Sequence, residues 1–246
     1  MRYFIDISYF GKNYHGWQIQ ENAITIQEII DKSLSIILKS DIKTLGSGRT
    51  DTGVHAISQI AHFDYNDNLG NNFLYKVNSL LPSDISINSI SKVRDKVSAR
   101  FDAISREYVY KIHTSKSPFL TDFSFFYPKE INVVLLNKAC EIIKNFKDFQ
   151  SFSKVKTDVN NYNCTLSYAA LEKENNSYLF RITSNRFLRG MVRTIMGTLF
   201  EINENKIQID SLEEIINKKD RKHAGPSVPA HGLYLQNVLY ETDVYI

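Results

Sequence analysis

Gly48-Arg49-Thr50-Asp51-Thr52-Gly53-Val54-His55-Ala56 carries one carboxylate, Asp51, between two glycines, with Arg49 two residues before it. Glycine has no Cβ, so it serves where a chain turns sharply or a ligand comes close, at a cost in backbone entropy. An acid on such a turn can face a substrate instead of a core. Read alone, Asp-Thr-Gly is an Asx-type turn in which the carboxylate bonds a nearby backbone amide. The sequence on either side decides between these readings.

Upstream, Tyr3, Ile5, Ile7 and Tyr9 alternate with Asp6 and Ser8, which predicts an N-terminal strand with one wetter face. Thr25 and Glu28 make a capping box, opening a helix whose apolar stripe is Ile26, Ile29, Ile30, Leu34 and Ile37. A short strand is expected before the Gly46 to Gly53 loop, and Ile57 to Phe63 reads as another after it. Phe73 to Leu81 predicts a helix stopped by Pro82. Ile85 to Val93 and Arg106 to His113 read as strands.

The second half has the same kind of pattern. Val133 to Phe146 predicts an amphipathic helix, and Thr165 to Glu172 and Ser177 to Ser184 predict strands. Phe187 to Ile202 reads as one long helix with Leu188, Met191, Val192, Ile195, Leu199 and Ile202 spaced for burial. Ser211 with Glu214 offers a second capping box, and Leu233 to Tyr240 closes as a strand. Strands in hairpin-like pairs with little strict β-α alternation give an α+β class. The expected organisation is an N-terminal α+β lobe over 1–115 carrying the Asp51 loop, a crossover over 116–130 containing Pro118 and Pro128, and a C-terminal α+β lobe over 131–246.

The 246 residues, 43% hydrophobic and 23% charged, provide ample material for a buried core. A net charge of +3 does not announce nucleic acid, but its distribution says more. From Asn175 to Phe200 there is no acid, while Arg181, Arg186, Arg189 and Arg193 all fall there. Lys218, Lys219, Arg221 and Lys222 form a second cluster, opposed locally by Asp220. Clustered cations make an electrostatic footprint for phosphates. Cys140 and Cys164 form no framework of disulfides, and no histidine pair has metal-ligand spacing. The N-terminus lacks a signal-peptide core, and the uncharged stretch His223 to Tyr240 is broken by prolines and glycines, so no membrane span is expected. A cytoplasmic location is the expectation.

Several segments together resemble the tRNA pseudouridine synthase A family, almost end to end. Tyr14-His15-Gly16-Trp17-Gln18 with Gln20 is similar to its first motif, and Gly48 to Ala56 to its signature loop. Asn78, Leu81-Pro82 and Asp84-Ile85 look like a third motif. Ala99-Arg100-Phe101-Asp102-Ala103, with Arg106, Tyr108 and Tyr110, looks like its central strand. Phe187 to Arg193 and Ala230-His231-Gly232-Leu233-Tyr234-Leu235 are similar to its second-half helix and C-terminal segment. Any one of these is weak; together and in order they are specific. Two positions depart: Cys164 stands where the family often has arginine, and Thr52 where it often has alanine.

What the resemblance implies is isomerisation of uridine to pseudouridine in the anticodon arm of tRNA, without ATP, metal or organic cofactor. Asp51 is then the nucleophile that holds one fragment while the other reorients. A dry site disfavours a charged carboxylate, and Arg193 offsets this as a permanently charged partner. Tyr108 supplies a flat face for the target base and a hydroxyl near its C5, whereas Tyr110 reads as a core residue. Arg49 assists in drawing the base out of its stack, and Arg181, Arg186, Arg189 and the 218–222 cluster hold backbone phosphates. The resemblance also implies two ferredoxin-like or RRM-like lobes with their antiparallel sheets in one extended surface, a central cleft and a homodimer. Asp-Thr-Gly is also the aspartic-protease tripeptide, but that chemistry needs two aspartates sharing a proton, and Arg49 opposes protonation. A non-catalytic tRNA-binding or chaperone protein on the same scaffold is the other reading; it has no need for a carboxylate facing a polyanion.

Overall fold

The computed structural model describes residues 1–155, 159 and 161–246. The chain begins with β1 (Arg2–Tyr9), α1 (Ile26–Leu38), β2 (Leu45–Gly46) and β3 (His55–Asp64). It continues through α2 (Phe73–Leu80), β4 (Ile85–Val93), β5 (Ser105–His113), β6 (Phe125–Phe126) and α3 (Val133–Lys144). The last elements are β7 (Leu166–Glu174), β8 (Ser177–Ser184), α4 (Met191–Asn203), α5 (Leu212–Asn217) and β9 (Leu233–Leu239). This is a mixed α+β chain. None of its described helices is long and apolar enough to cross a membrane.

Two compact units divide it: residues 1–104 with 235–246, and residues 105–234. The boundaries differ from those expected near 115 and 131. Strand β5 belongs with the second unit because it is laddered along its length to β8, from Arg106 opposite Ser184 to His113 opposite Ser177. The C-terminal tail returns to the first, where Arg94 donates to the Val244 carbonyl at 3.0 Å and Ile246 to that of Lys92 at 3.1 Å. The expected crossover is also more than a linker, since β6 pairs in parallel with β5.

In the first unit the strands run β4-β1-β3-β9, with β2 also on β3. β1 is antiparallel to both neighbours, with Ile5 opposite Ala61 on one side and Ile90 on the other. Its alternation has the expected consequence: Ile5 and Ile7 are buried completely, while Asp6 and Ser8 are half-exposed. The Thr25 hydroxyl accepts from the Glu28 amide, so the helix starts where the capping box sets it. Ile26, Ile30 and Leu34, one turn apart, form its fully buried stripe.

In the second unit β5, β8 and β7 form an antiparallel meander. The expected helix over 187–202 starts four residues later. Gly190 takes a left-handed φ of 73° and caps α4, and the Arg189 carbonyl just before it accepts from Lys154 at 2.9 Å, outside any helical pattern. The second capping box is also absent. Ser211 ends a short 3₁₀ turn in a helical conformation and makes no side-chain cap, because an N-cap needs an extended backbone to aim its hydroxyl.

His62 on β3 accepts the Ala99 amide through Nδ1 at 3.1 Å. Burial, and then the nearby Arg2 charge, push its pKa down to about 4. Above its unfolded value near 6.5 the ring is neutral in both states and contributes no pH dependence. As pH falls from there toward 4 the unfolded chain takes up the proton first, and folding weakens by about 1–2 kcal/mol after solvent screening. In urea denaturation, His62→Gln, which keeps an acceptor without a titration, should flatten the midpoint change between pH 7 and pH 4.5. An unaltered change would mean that His62 does not carry it.

Candidate active site

The loop between β2 and β3 is built by backbone bonds on both sides of Asp51. The Ser47 amide donates to the Ile60 carbonyl at 2.7 Å. Buried Gln59 spans the turn, giving its Nε2 to the Gly48 carbonyl at 2.9 Å and accepting the Ser47 hydroxyl at 3.3 Å. Thr50 is fixed twice: the Trp17 amide donates to its carbonyl at 3.2 Å, and its hydroxyl lies 2.8 Å from that of Tyr9. Beyond the acid, Val54 donates to the Asp51 carbonyl at 3.1 Å and Gly53 to the Tyr14 carbonyl at 3.4 Å. Asp51 itself is half-buried and Arg49 is exposed.

The Tyr14 to Gln18 segment therefore forms the wall against which the loop lies. Gly16 has a φ of 85°, and a Cβ there would collide with the Thr50 carbonyl oxygen and come within 3.2 Å of the Asp51 carbonyl carbon. Only a residue without a side chain permits this approach. Tyr14 in turn donates its hydroxyl to Asp84 at 2.6 Å, and Asn13 donates to the same carboxylate at 3.3 Å. Burial and that carboxylate both push the Tyr14 pKa up, so it stays a donor. Asn78 holds the next stretch by bonding both the amide and the carbonyl of Ile87, at 2.8 and 2.9 Å. His55, buried at the start of β3, accepts the Gly11 amide at 2.9 Å and stacks on Phe10. Segments far apart in sequence thus converge on one turn.

The second unit holds the remaining predicted residues. Tyr108 lies on β5, buried, in a T-shaped contact with Phe187 at a centroid distance of 5.1 Å. Arg193 lies in the first turn of α4, half-buried, and donates Nε to the Val228 carbonyl at 2.7 Å, while Val228 donates back to the Arg193 carbonyl at 3.2 Å. Tyr110, in the core as expected, donates its hydroxyl to the next carbonyl, that of Pro229, at 2.9 Å. One dipeptide therefore ties the strand of Tyr108 to the helix of Arg193. Sequence reasoning missed this brace, and it missed Gln59 and the Tyr9–Thr50 pair, because each partner is distant along the chain.

The basic residues separate into kinds. Arg189 is exposed, and Arg186 is half-buried with Nη1 3.3 Å from Asn161. Lys218 pairs with Glu214, both exposed, and exposed Lys219 with half-buried Asp148; ion pairs of exposed lysines exchange readily. Arg181 differs from the phosphate-holding role expected of it. Its position on β8 sets it diagonally across from acids on both neighbouring strands, and it meets Glu172 at 2.9 Å, Glu107 at 3.5 Å and Glu174 at 3.8 Å. Cys164 is buried, its thiol pushed up to about 11 by that burial, so this position faces the interior.

The family model for tRNA pseudouridine synthase matches residues 7–102 and 146–241 of this chain. The chain belongs to the tRNA pseudouridine synthase family. A relative named tRNA pseudouridine synthase A from Parabacteroides distasonis is 42% identical over 246 residues, covering 99% of this chain and 98% of that protein. Another so named, from Bacteroides thetaiotaomicron, is 41% identical and spans 99% and 92% of the two chains. One from Ruminiclostridium cellulolyticum is 38% identical over 96% and 98%. The matched range of this tRNA pseudouridine synthase family member includes the whole wall and turn around Asp51.

Gly16→Ala should destabilise the protein by about 1–3 kcal/mol, from positive φ and from the collision with Thr50. Urea denaturation measures it. A change within about 0.5 kcal/mol, typical of neutral surface positions, would show that the wall is not tightly packed.

Proposed function

We propose that the protein isomerises uridine to pseudouridine in the anticodon stem-loop of tRNA, with the Asp51 carboxylate as nucleophile. The observation that carries this reading is the built turn. Its backbone is fixed before and after Asp51 by Trp17, Tyr14 and Val54, while the acid is left half-buried. A carboxylate set out in this way can add to a carbon centre and later leave. In the reaction the N1–C1′ bond of an extruded uridine breaks and a C5–C1′ bond forms. The C5 proton is lost and N1 takes one up, so product and substrate are isomers. No ATP, metal or organic cofactor enters.

Arg193 pairs with Asp51 and favours its charged form in a site from which the base excludes water. Its Nε is already engaged by Val228, which supports a fixed guanidinium rather than a roaming surface charge. Tyr108 stacks on the target base, and Phe187, in T-shaped contact with it, supports the ring. Arg49, exposed beside the turn, contacts the strand from which the base is drawn, and Arg186 and Arg189 hold phosphates. With this reaction we propose ferredoxin-like lobes with their sheets in one surface, a central cleft between the Asp51 lobe and the Arg193 lobe, a homodimer, and work in the cytoplasm.

Tritium release from tRNA labelled at uracil C5 tests the chemistry. Wild type should release it, and Asp51→Ala should be slower by roughly a thousandfold or more while still binding tRNA. Release by neither protein would favour a tRNA-binding protein without catalysis. Arg193→Ala should lose far more turnover than affinity; equal losses would make Arg193 a phosphate contact.

A further inference from the structure

The turn that presents Asp51 has a buried hydroxyl pair directly behind it. Tyr9 is 4% exposed, Thr50 is 7% exposed, and their oxygens are 2.8 Å apart. Thr50 is the residue immediately before Asp51, and its carbonyl is separately held by the Trp17 amide. Tyr9 is the last residue of β1, next to the paired strand β3, so its ring is part of the sheet rather than of a loop. Trp17 flanks that ring at a centroid distance of 6.3 Å. We infer that Tyr9 is a positioning residue for the reaction: through the Thr50 hydroxyl it ties the nucleophile's backbone to the rigid β1 strand.

The two attachments restrain different motions of Thr50. The Trp17 amide fixes the Thr50 carbonyl, which leaves rotation of the peptide plane about that point. A second bond, from the side chain of the same residue, removes that freedom, so the direction in which Asp51 leaves Thr50 is set. Placement matters steeply in such chemistry, because an error of about 1 Å in a reacting group costs on the order of a hundredfold in rate. A buried hydroxyl pair with a purely structural role would instead show itself in stability alone, with the rate of the chemical step unchanged. Both residues are buried, so the pair acts on the reaction through the backbone of the turn.

This inference rests on Asp51 being the nucleophile, and the experiment separates the two. Single-turnover rates and tRNA affinity are measured for Tyr9→Phe, Thr50→Val, Thr50→Ser, the double variant Tyr9→Phe/Thr50→Val, and Asp51→Ala. Tyr9→Phe and Thr50→Val should each slow the chemical step about tenfold to a hundredfold, with tRNA affinity within about twofold of wild type. The double variant should be no slower than the slower single, because one bond has been lost once. Thr50→Ser, which keeps the hydroxyl, should restore most of the rate. If Asp51→Ala is inactive while Tyr9→Phe and Thr50→Val turn over at the wild-type rate, the positioning role is overturned and the function stands. If the two single effects multiply in the double variant, the pair does not act as one attachment and the inference is again overturned. If Asp51→Ala retains full turnover, the reading of the nucleophile itself has failed. Should Thr50→Val not fold, Tyr9→Phe against Thr50→Ser decides the matter, since the first removes the bond and the second preserves it.

Discussion

The bond from the Trp17 amide to the Thr50 carbonyl is the constraint on which the first unit's functional geometry depends. It requires two backbones to lie closer than side chains allow, and Gly16 with its positive φ makes that approach possible. Once it is made, the other contacts fall into place around it. Tyr14 comes within reach of the Gly53 amide, and its hydroxyl reaches Asp84 ahead of β4. Gln59 closes the turn from the β3 side. A loop that would otherwise carry the entropy of several unrestrained residues is thereby ordered before any substrate arrives, which is the condition for positioning to contribute to rate.

A different device orders the second unit. Adjacent carbonyls, those of Val228 and Pro229, receive the Arg193 guanidinium and the Tyr110 hydroxyl. Burial pushes the Tyr110 pKa up, so its hydroxyl remains a donor to that carbonyl. Further along α4, the Thr194 hydroxyl meets Ser227 and the Thr198 hydroxyl accepts the Gly225 amide, both at 2.9 Å. The segment before β9 is thus laced to one face of the helix. Tyr108, two residues from Tyr110 on the same strand, takes its position from that lacing and from Phe187.

What was legible from sequence follows the range of the interaction. The capping box at Thr25, the alternation in β1 and the stop at Pro82 are local, and each has the expected outcome. Family membership was legible because its motifs are contiguous. The start of α4 was not, because the apolar spacing of Leu188 matches a helix while Gly190 and the distant Lys154 amide set the backbone otherwise. Arg181 looked like an open cation in an acid-free stretch; its acids come from neighbouring strands, which linear charge counting cannot see. The supports of Asp51, namely Tyr9, Trp17 and Gln59, likewise lie on other segments.

We propose that one carboxylate, Asp51 on its built turn, makes pseudouridine in tRNA. The most direct test is nucleotide-resolution mapping of pseudouridine in tRNA from cells whose chromosomal gene carries Asp51→Ala, with the protein present at its normal level. Pseudouridine should disappear from uridines of the anticodon arm and persist at other tRNA positions. An unchanged pattern would contradict the proposal.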